Sequence, residues 1–119
     1  METLDHLKTR LREFAVARDW EQFHSPKNLA MALIVEAAEL VEHFQWLTEE
    51  QSAALPPEKF AEVEQELADI QIYLIRLADK LGIDMEQAVN AKIELNAKKY
   101  PADKVRGKAA KYNDCDDGC

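Results

Sequence analysis

Apolar residues at Leu4, Leu7, Leu11, Phe14 and Ala15 recur every three or four positions and close on a charged turn at Arg18. This 3.6-residue stripe predicts a first helix from about Leu4 to Trp20. Ser25 as N-cap and Pro26 at the first helical position open a second helix that runs to about Trp46. After one substantial connection, TEEQSAALPPEK, a third starts near Pro57 or Glu58 and stops at Gly82, a residue suited to helix C-termini. A fourth starts after Asp84, where Gln87 three residues on makes a capping box, and ends before Pro101. The chain has three glycines, all at Gly82 or later, and is rich in Ala, Leu, Glu, Lys and Gln, so little of it suits hairpins. The predicted fold is all-α, an antiparallel four-helix bundle. A single domain is expected over residues 1–113, with 114–119 a disordered tail.

The second helix is unusual in its order of residues. Positions 29–35, LAMALIV, are apolar all round, which predicts burial on several sides, in a bundle centre or an oligomer interface. Glu36 and Glu39 then follow at i, i+3 and share a face. In the third helix Glu66 and Asp69 repeat that spacing amid Leu67, Ala68, Ile70 and Ile72. Ionised carboxylates in such surroundings repel one another and lose hydration, at a cost of several kcal/mol per ion unless something positive compensates. If the two helices form an antiparallel hairpin, both pairs lie roughly 10 to 12 Å from the connection, and so level with each other. Four carboxylates with no Cys or His among them describe a site for a hard cation such as Mg²⁺ or Mn²⁺ rather than zinc. The same reckoning on the next hairpin brings Asn96 and Lys99 to that level, with Lys92 one turn away. Ammonium groups beside a carboxylate-bound metal suit a substrate phosphate.

Composition removes several other readings. A formal charge of −8 argues against a duplex-DNA binder, whose affinity comes largely from Lys and Arg on phosphates. No apolar run approaches the ~20 residues of a membrane span, and METLDHLKTRL has no signal-peptide core. A soluble, cytoplasmic chain is expected. Cys115 and Cys119 fall in the last five residues and staple no core. A di-iron carboxylate bundle needs Glu-x-x-His from each of two helices, and of the three histidines only His24, three after Glu21, has that spacing. RGKAAKY holds a Gly-Lys pair, but Ala102 stands where a P-loop needs its first Gly. A non-catalytic helical interaction module would explain the apolar helices but not four level carboxylates.

The pattern Glu36-x-x-Glu39, a spacer, then Glu66-x-x-Asp69 resembles the signature of the all-α nucleoside triphosphate pyrophosphatases, the MazG-like superfamily. RDWEQFHSPKNLAMALIVEAAELVEHFQW, EVEQELADIQIYLIRLA and NAKKYPADKVRGKAAKY resemble its dCTP pyrophosphatase branch nearly segment by segment, over about Leu7 to Asn113. The resemblance implies an Mg²⁺-dependent helical homo-oligomer that hydrolyses a deoxynucleoside triphosphate to the monophosphate and pyrophosphate. It implies metal ligation, and with it catalysis, by Glu36, Glu39, Glu66 and Asp69. It further implies phosphate contacts from Lys92, Asn96, Lys99 and Lys111 with Tyr112, and a nucleoside pocket near Trp20, His24, Trp46 and Tyr73. One position departs from the pattern: vertebrate members carry a His in the first helix where this chain has Leu11, so strict cytosine preference does not carry over. A dUTP-directed or broad-specificity relative is the main alternative. Trp20 and Trp46 flank a helix of about 20 residues and so lie ~30 Å apart, which requires two protomers if both serve one pocket. A tetramer is the family-based expectation and a dimer the alternative. No nucleic-acid polymer or membrane partner is expected.

Overall fold

The computed structural model describes residues 3–108, and the elements among them are all helical. The chain divides into two compact units, Met1–Ile83 and Asp84–Cys119. The first contains α1 (Leu4–Ala17), a 3₁₀ turn (Glu21–Phe23), α2 (Pro26–Glu42), α3 (Glu49–Ser52) and α4 (Pro57–Leu81). The second contains α5 (Met85–Lys99) and the one-turn α6 (Ala102–Val105). Among the described residues no helix is long and apolar enough to cross a membrane.

The helix starts follow the signals in the sequence. Ser25 Oγ accepts from the Asn28 N–H at 3.1 Å, and Asp84 Oδ1 from the Gln87 N–H at 3.0 Å, each satisfying a donor that the helix itself cannot. Pro57 sits in the first turn of α4, where its missing N–H costs nothing. Gly82 closes α4 at φ 69°: the Ile83 N–H reaches Ala78 O at 2.8 Å and the Gly82 N–H reaches Asp79 O at 3.2 Å, the paired closure of a Schellman motif.

Two helices end earlier than their apolar periodicity predicts. α1 stops at Ala17 rather than Trp20, through the same Schellman closure but with Asp19 in place of glycine. Asp19 stands at φ 54°, the Trp20 N–H bonds Ala15 O at 2.9 Å, and the Asp19 N–H bonds Val16 O at 3.1 Å. The left-handed conformation costs a non-glycine residue roughly 1–2 kcal/mol. The Gln22 amide helps to hold it, donating to Asp19 O and Oδ2, both at 3.0 Å. α2 stops at Glu42 rather than Trp46, because the Phe44 and Gln45 N–H groups both turn onto Val41 O at 2.9 Å. The connection is not irregular throughout: Thr48 and Gln51 form a reciprocal capping box, at 3.1 and 2.9 Å, that starts α3.

In the first unit α2 and α1 both pack on α4, which at 25 residues extends ~37 Å. The buried apolar residues are Ala15 from α1, Leu29 from α2, and Val63, Ile75 and Ala78 from α4. Of the apolar run 29–35 only Leu29 is buried within the chain, whereas Met31, Ile34 and Val35 are more than half exposed. A cluster of opposite charges supplements this small core. Arg12 makes a two-point contact with Asp79, at 2.5 and 3.1 Å, tying α1 to α4. Arg76, almost wholly buried, bonds Asp79 at 3.2 Å and Glu21 at 2.5 Å, and Lys80 also pairs with Glu21. The 3₁₀ turn is thereby fastened to α4 by charge-assisted hydrogen bonds.

Candidate active site

The packing of α2 on α4 brings three of the expected carboxylates together. Glu36 and Glu39, one turn apart on α2, and Glu66 on α4 each offer an oxygen within 4.8 Å of the others. Glu36 Oε2 and Glu66 Oε2 are buried and have no hydrogen-bond partner. An orphaned buried polar atom commonly costs about 1–3 kcal/mol, and more when charged. The Glu36 carboxyl is pushed up to about 7, first by burial, then by Glu66 and Glu39, with Asp69 adding to the repulsion. The donor set is all oxygen, and a hard divalent cation would satisfy both orphaned atoms and relieve the repulsion.

Asp69 follows Glu66 by three residues, lines a neighbouring cavity, and is close enough for its charge to act on Glu36. The cavity, of about 290 Å³, is lined by Leu11, Phe14, Ala15, Trp20, His24, Asp69, Ile72, Tyr73 and Arg76. The αL residue at Asp19 turns the chain so that Trp20 lies edge-on to Phe14, with ring centroids 5.7 Å apart, and 6.4 Å from His24. Tyr73 feels both regions: burial raises its phenol pKa, and so do the charges of Glu36, Asp69 and Glu39. An aromatic, half-open pocket close to a carboxylate cluster can hold a flat ring at one end and a metal-bound anion at the other.

Three of the four residues expected at a nucleoside, Trp20, His24 and Tyr73, thus share one cavity wall. Trp46 lines no part of it and is 87% exposed, on the turn after α2. Lys92, Asn96 and Lys99 are exposed on α5 in the second unit. Lys111 and Tyr112, with Cys115, Cys119 and the rest of the expected tail, lie outside the described residues.

Two residues at this site are not among those the sequence reading expects. Arg76 follows Tyr73 by three positions in IYLIRLADK, and its partner Glu21 is 55 residues away in sequence. A lone Arg in an apolar run was the available hint. His43 lies behind the carboxylates, with Nε2 3.7 Å from Glu66 Oε1, and with Nδ1 3.7 Å from Glu62 and 3.4 Å from Lys59 Nζ. Its spacing from Glu39 and Glu42 fits no ligand motif, so only the fold brings it there.

A family model, that of the MazG-like family, matches residues 31–115. The chain is 46% identical over 114 residues to dCTP pyrophosphatase 1 of Mus musculus, covering 94% of this chain and 67% of that protein. It is 40% identical over 118 residues to dCTP pyrophosphatase 1 of Homo sapiens, covering 98% and 69%. Among solved structures, a pyrophosphatase of Archaeoglobus fulgidus superposes with a TM-score of 0.79 at 40% identity, over 85% of this chain and 94% of that one. By its carboxylate pattern, its helical fold and these likenesses, the chain belongs to the MazG-like family.

Proposed function

We propose that this chain is a metal-dependent nucleoside triphosphate pyrophosphatase that hydrolyses dCTP or its modified forms to the monophosphate and pyrophosphate. The single observation that carries the reading lies at Asp69. A cluster of three carboxylates with two orphaned oxygens lies close to an aromatic cavity lined by Asp69, whose charge acts on Glu36 of the cluster. The relatives named dCTP pyrophosphatase 1 and the archaeal pyrophosphatase support the same activity.

Glu36, Glu39, Glu66 and Asp69 would hold Mg²⁺, with Mn²⁺ as a substitute. Such an ion supplies neutralising charge for the phosphates and a more acidic bound water. The chain's own residues supply the rest. Trp20, Tyr73 and His24 hold the nucleoside, and Asp69 lines that pocket close to the carboxylates. Attack by water in the α–β region forms one P–O bond as the bond to the bridging oxygen breaks. Pyrophosphate leaves, and the water's proton passes to a carboxylate. The family resemblance gives Lys92, Asn96, Lys99 and Lys111 phosphate-binding roles; replacing each by Ala should raise KM for the triphosphate more than it lowers kcat.

A broader base range is the second reading, favoured by Leu11. It lines the cavity as an apolar residue, where the family resemblance gives vertebrate members a His, so that polar base contact is not offered here. We also read the chain as a homo-oligomer, a tetramer before a dimer. Met31, Ile34 and Val35 on α2, with Phe60 and Leu67 on α4, are each more than half exposed and are large apolar residues of the kind that associating surfaces bury. A monomer by light scattering at micromolar concentration would refute this. The activity is tested by pyrophosphate release from the standard and 5-substituted deoxynucleoside triphosphates, with Mg²⁺ and with EDTA. Mg²⁺-dependent release concentrated on dCTP establishes the first reading. Release spread over bases or centred on dUTP establishes the second, and none from any substrate removes both.

A further inference from the structure

Arg76 occupies an unusual position for a charged residue in the wall of an otherwise aromatic cavity. Its side chain is 3% exposed, it lines the cavity, and its Nε has no hydrogen-bond partner. Its other nitrogens are engaged: Nη1 with Asp79 at 3.2 Å, and Nη2 with Glu21 at 2.5 Å. Nη2 also lies 3.4 Å from Nδ1 of His24, which lines the same cavity.

A guanidinium has five N–H donors and no acceptor. A ring nitrogen that faces it at 3.4 Å is favoured as the unprotonated acceptor, and a neutral imidazole then carries its proton on Nε2. The charges around His24 favour the neutral ring on balance. Burial and the cations Arg76 and Lys80 lower its pKa, against Glu21, which raises it. Glu21 in turn fixes the guanidinium rather than the imidazole, because its carboxylate is bonded to Arg76 and Lys80.

We propose that Arg76 is a positioning residue that holds His24 as the Nε2–H tautomer, so that the pocket presents a hydrogen-bond donor to an acceptor atom of the nucleoside. The tautomer rests on the Arg76–His24 contact and the charges around it, whereas the donor's role rests on the nucleotide reading of the cavity. His24 would discriminate in favour of rings with an unprotonated nitrogen or carbonyl at the position it faces, and a site with a fixed donor rejects partners that leave it unpaired.

The experiment is two-bond ¹H–¹⁵N correlation NMR on the ¹⁵N-labelled full chain, with the His24 signals identified by their absence in His24→Gln. The wild type should show the neutral Nε2–H pattern. Arg76→Met should lose it to a tautomer mixture, and Arg76→Lys, whose ammonium is also donor-only, should keep it. In steady-state kinetics Arg76→Met should raise KM roughly five- to tenfold, the worth of one neutral hydrogen bond, with kcat little changed. Arg76→Lys should restore KM. A wild-type Nδ1–H pattern, or one unmoved in Arg76→Met, overturns the assignment. The expected NMR change with unaltered KM overturns the donor's role. If the wild type turns over no nucleotide, the pyrophosphatase reading falls and the donor's role with it, while the NMR result still decides the tautomer.

Discussion

Two charged clusters share helix α4 and are built in opposite ways. Glu66 and Arg76 are ten positions apart, roughly 15 Å along the helix. Around Arg76 the charges alternate: Arg12, Arg76 and Lys80 are interleaved with Glu21 and Asp79, with bonds of 2.5 to 3.2 Å from Arg12 and Arg76 to these carboxylates and a further pair between Lys80 and Glu21. Around Glu66 three carboxylates converge with two oxygens left unbonded, and Asp69 adds to their repulsion. The pKa directions follow. Asp79 is held below its ordinary range by Arg12, and Glu21 by Lys80, whereas Glu36 is driven up to about 7 by burial and its neighbours. In the first cluster every carboxylate is paired with a cation, and only Arg76 Nε lacks a hydrogen-bond partner. The second lacks a cation among its bonded partners, and this imbalance is the physical ground for the proposed ion site.

The largest effect should come from removing one carboxylate of the carboxylate cluster. Glu39→Gln or Asp69→Asn should lower turnover about a hundredfold or more while leaving the melting temperature unchanged or raised, because each relieves repulsion as it removes a proposed metal ligand. Pyrophosphate release and thermal melting of the same samples check both halves, and full activity in either variant would refute the four-ligand site. The paired cluster should respond in the opposite sense. Asp79→Ala strands a buried guanidinium on one remaining carboxylate and should cost about 3 kcal/mol in urea unfolding. The folded fraction should keep its requirement for Mg²⁺.

The pH response separates the two clusters further. Glu36 has a folded-state pKa above its unfolded value, so the folded chain binds more protons between about 4.5 and 7, and metal-free stability falls as pH rises through that interval. Asp79 and Glu21 are shifted down, so their contribution is present at neutral pH and is lost only as pH falls below the ordinary carboxylate range. Melting curves in EDTA should therefore decline across that upper interval, and Mg²⁺ should abolish the decline. The smallest effect belongs to Arg12→Ala. Arg12 is half exposed and solvent-screened, so its loss in the same urea assay should be well below that of Asp79→Ala.

The carboxylate side of this contrast was legible in the sequence, the other side was not, and the missing parts have physical causes. Glu36, Glu39 and Glu66 could be placed level because helix rise is constant and their apolar flanks fix the helices that carry them. The starts at Ser25 and Asp84 and the stop at Gly82 are chemical signals read one residue at a time. The stop at Asp19 is not, because only the hydrogen bonds of the closed turn reveal that a non-glycine residue stands at positive φ, and Trp20 owes its place in the cavity to that turn. The paired cluster was invisible for another reason: Arg76 and Glu21, or Arg12 and Asp79, are far apart in sequence and have no common spacing. Helix α2 ended early because Phe44 and Gln45 turn onto one carbonyl, a choice that periodicity alone does not record.

The central claim, that the unbalanced carboxylates are a divalent-cation site, is tested most directly by titrating Mn²⁺ into the metal-free protein and following free ion by electron paramagnetic resonance. Wild type should take up Mn²⁺ in competition with Mg²⁺, and the double variant Glu36→Gln, Glu66→Gln should lose that uptake while remaining folded. Equal uptake by the two proteins would contradict the claim, and the orphaned oxygens of Glu36 and Glu66 would then need another explanation.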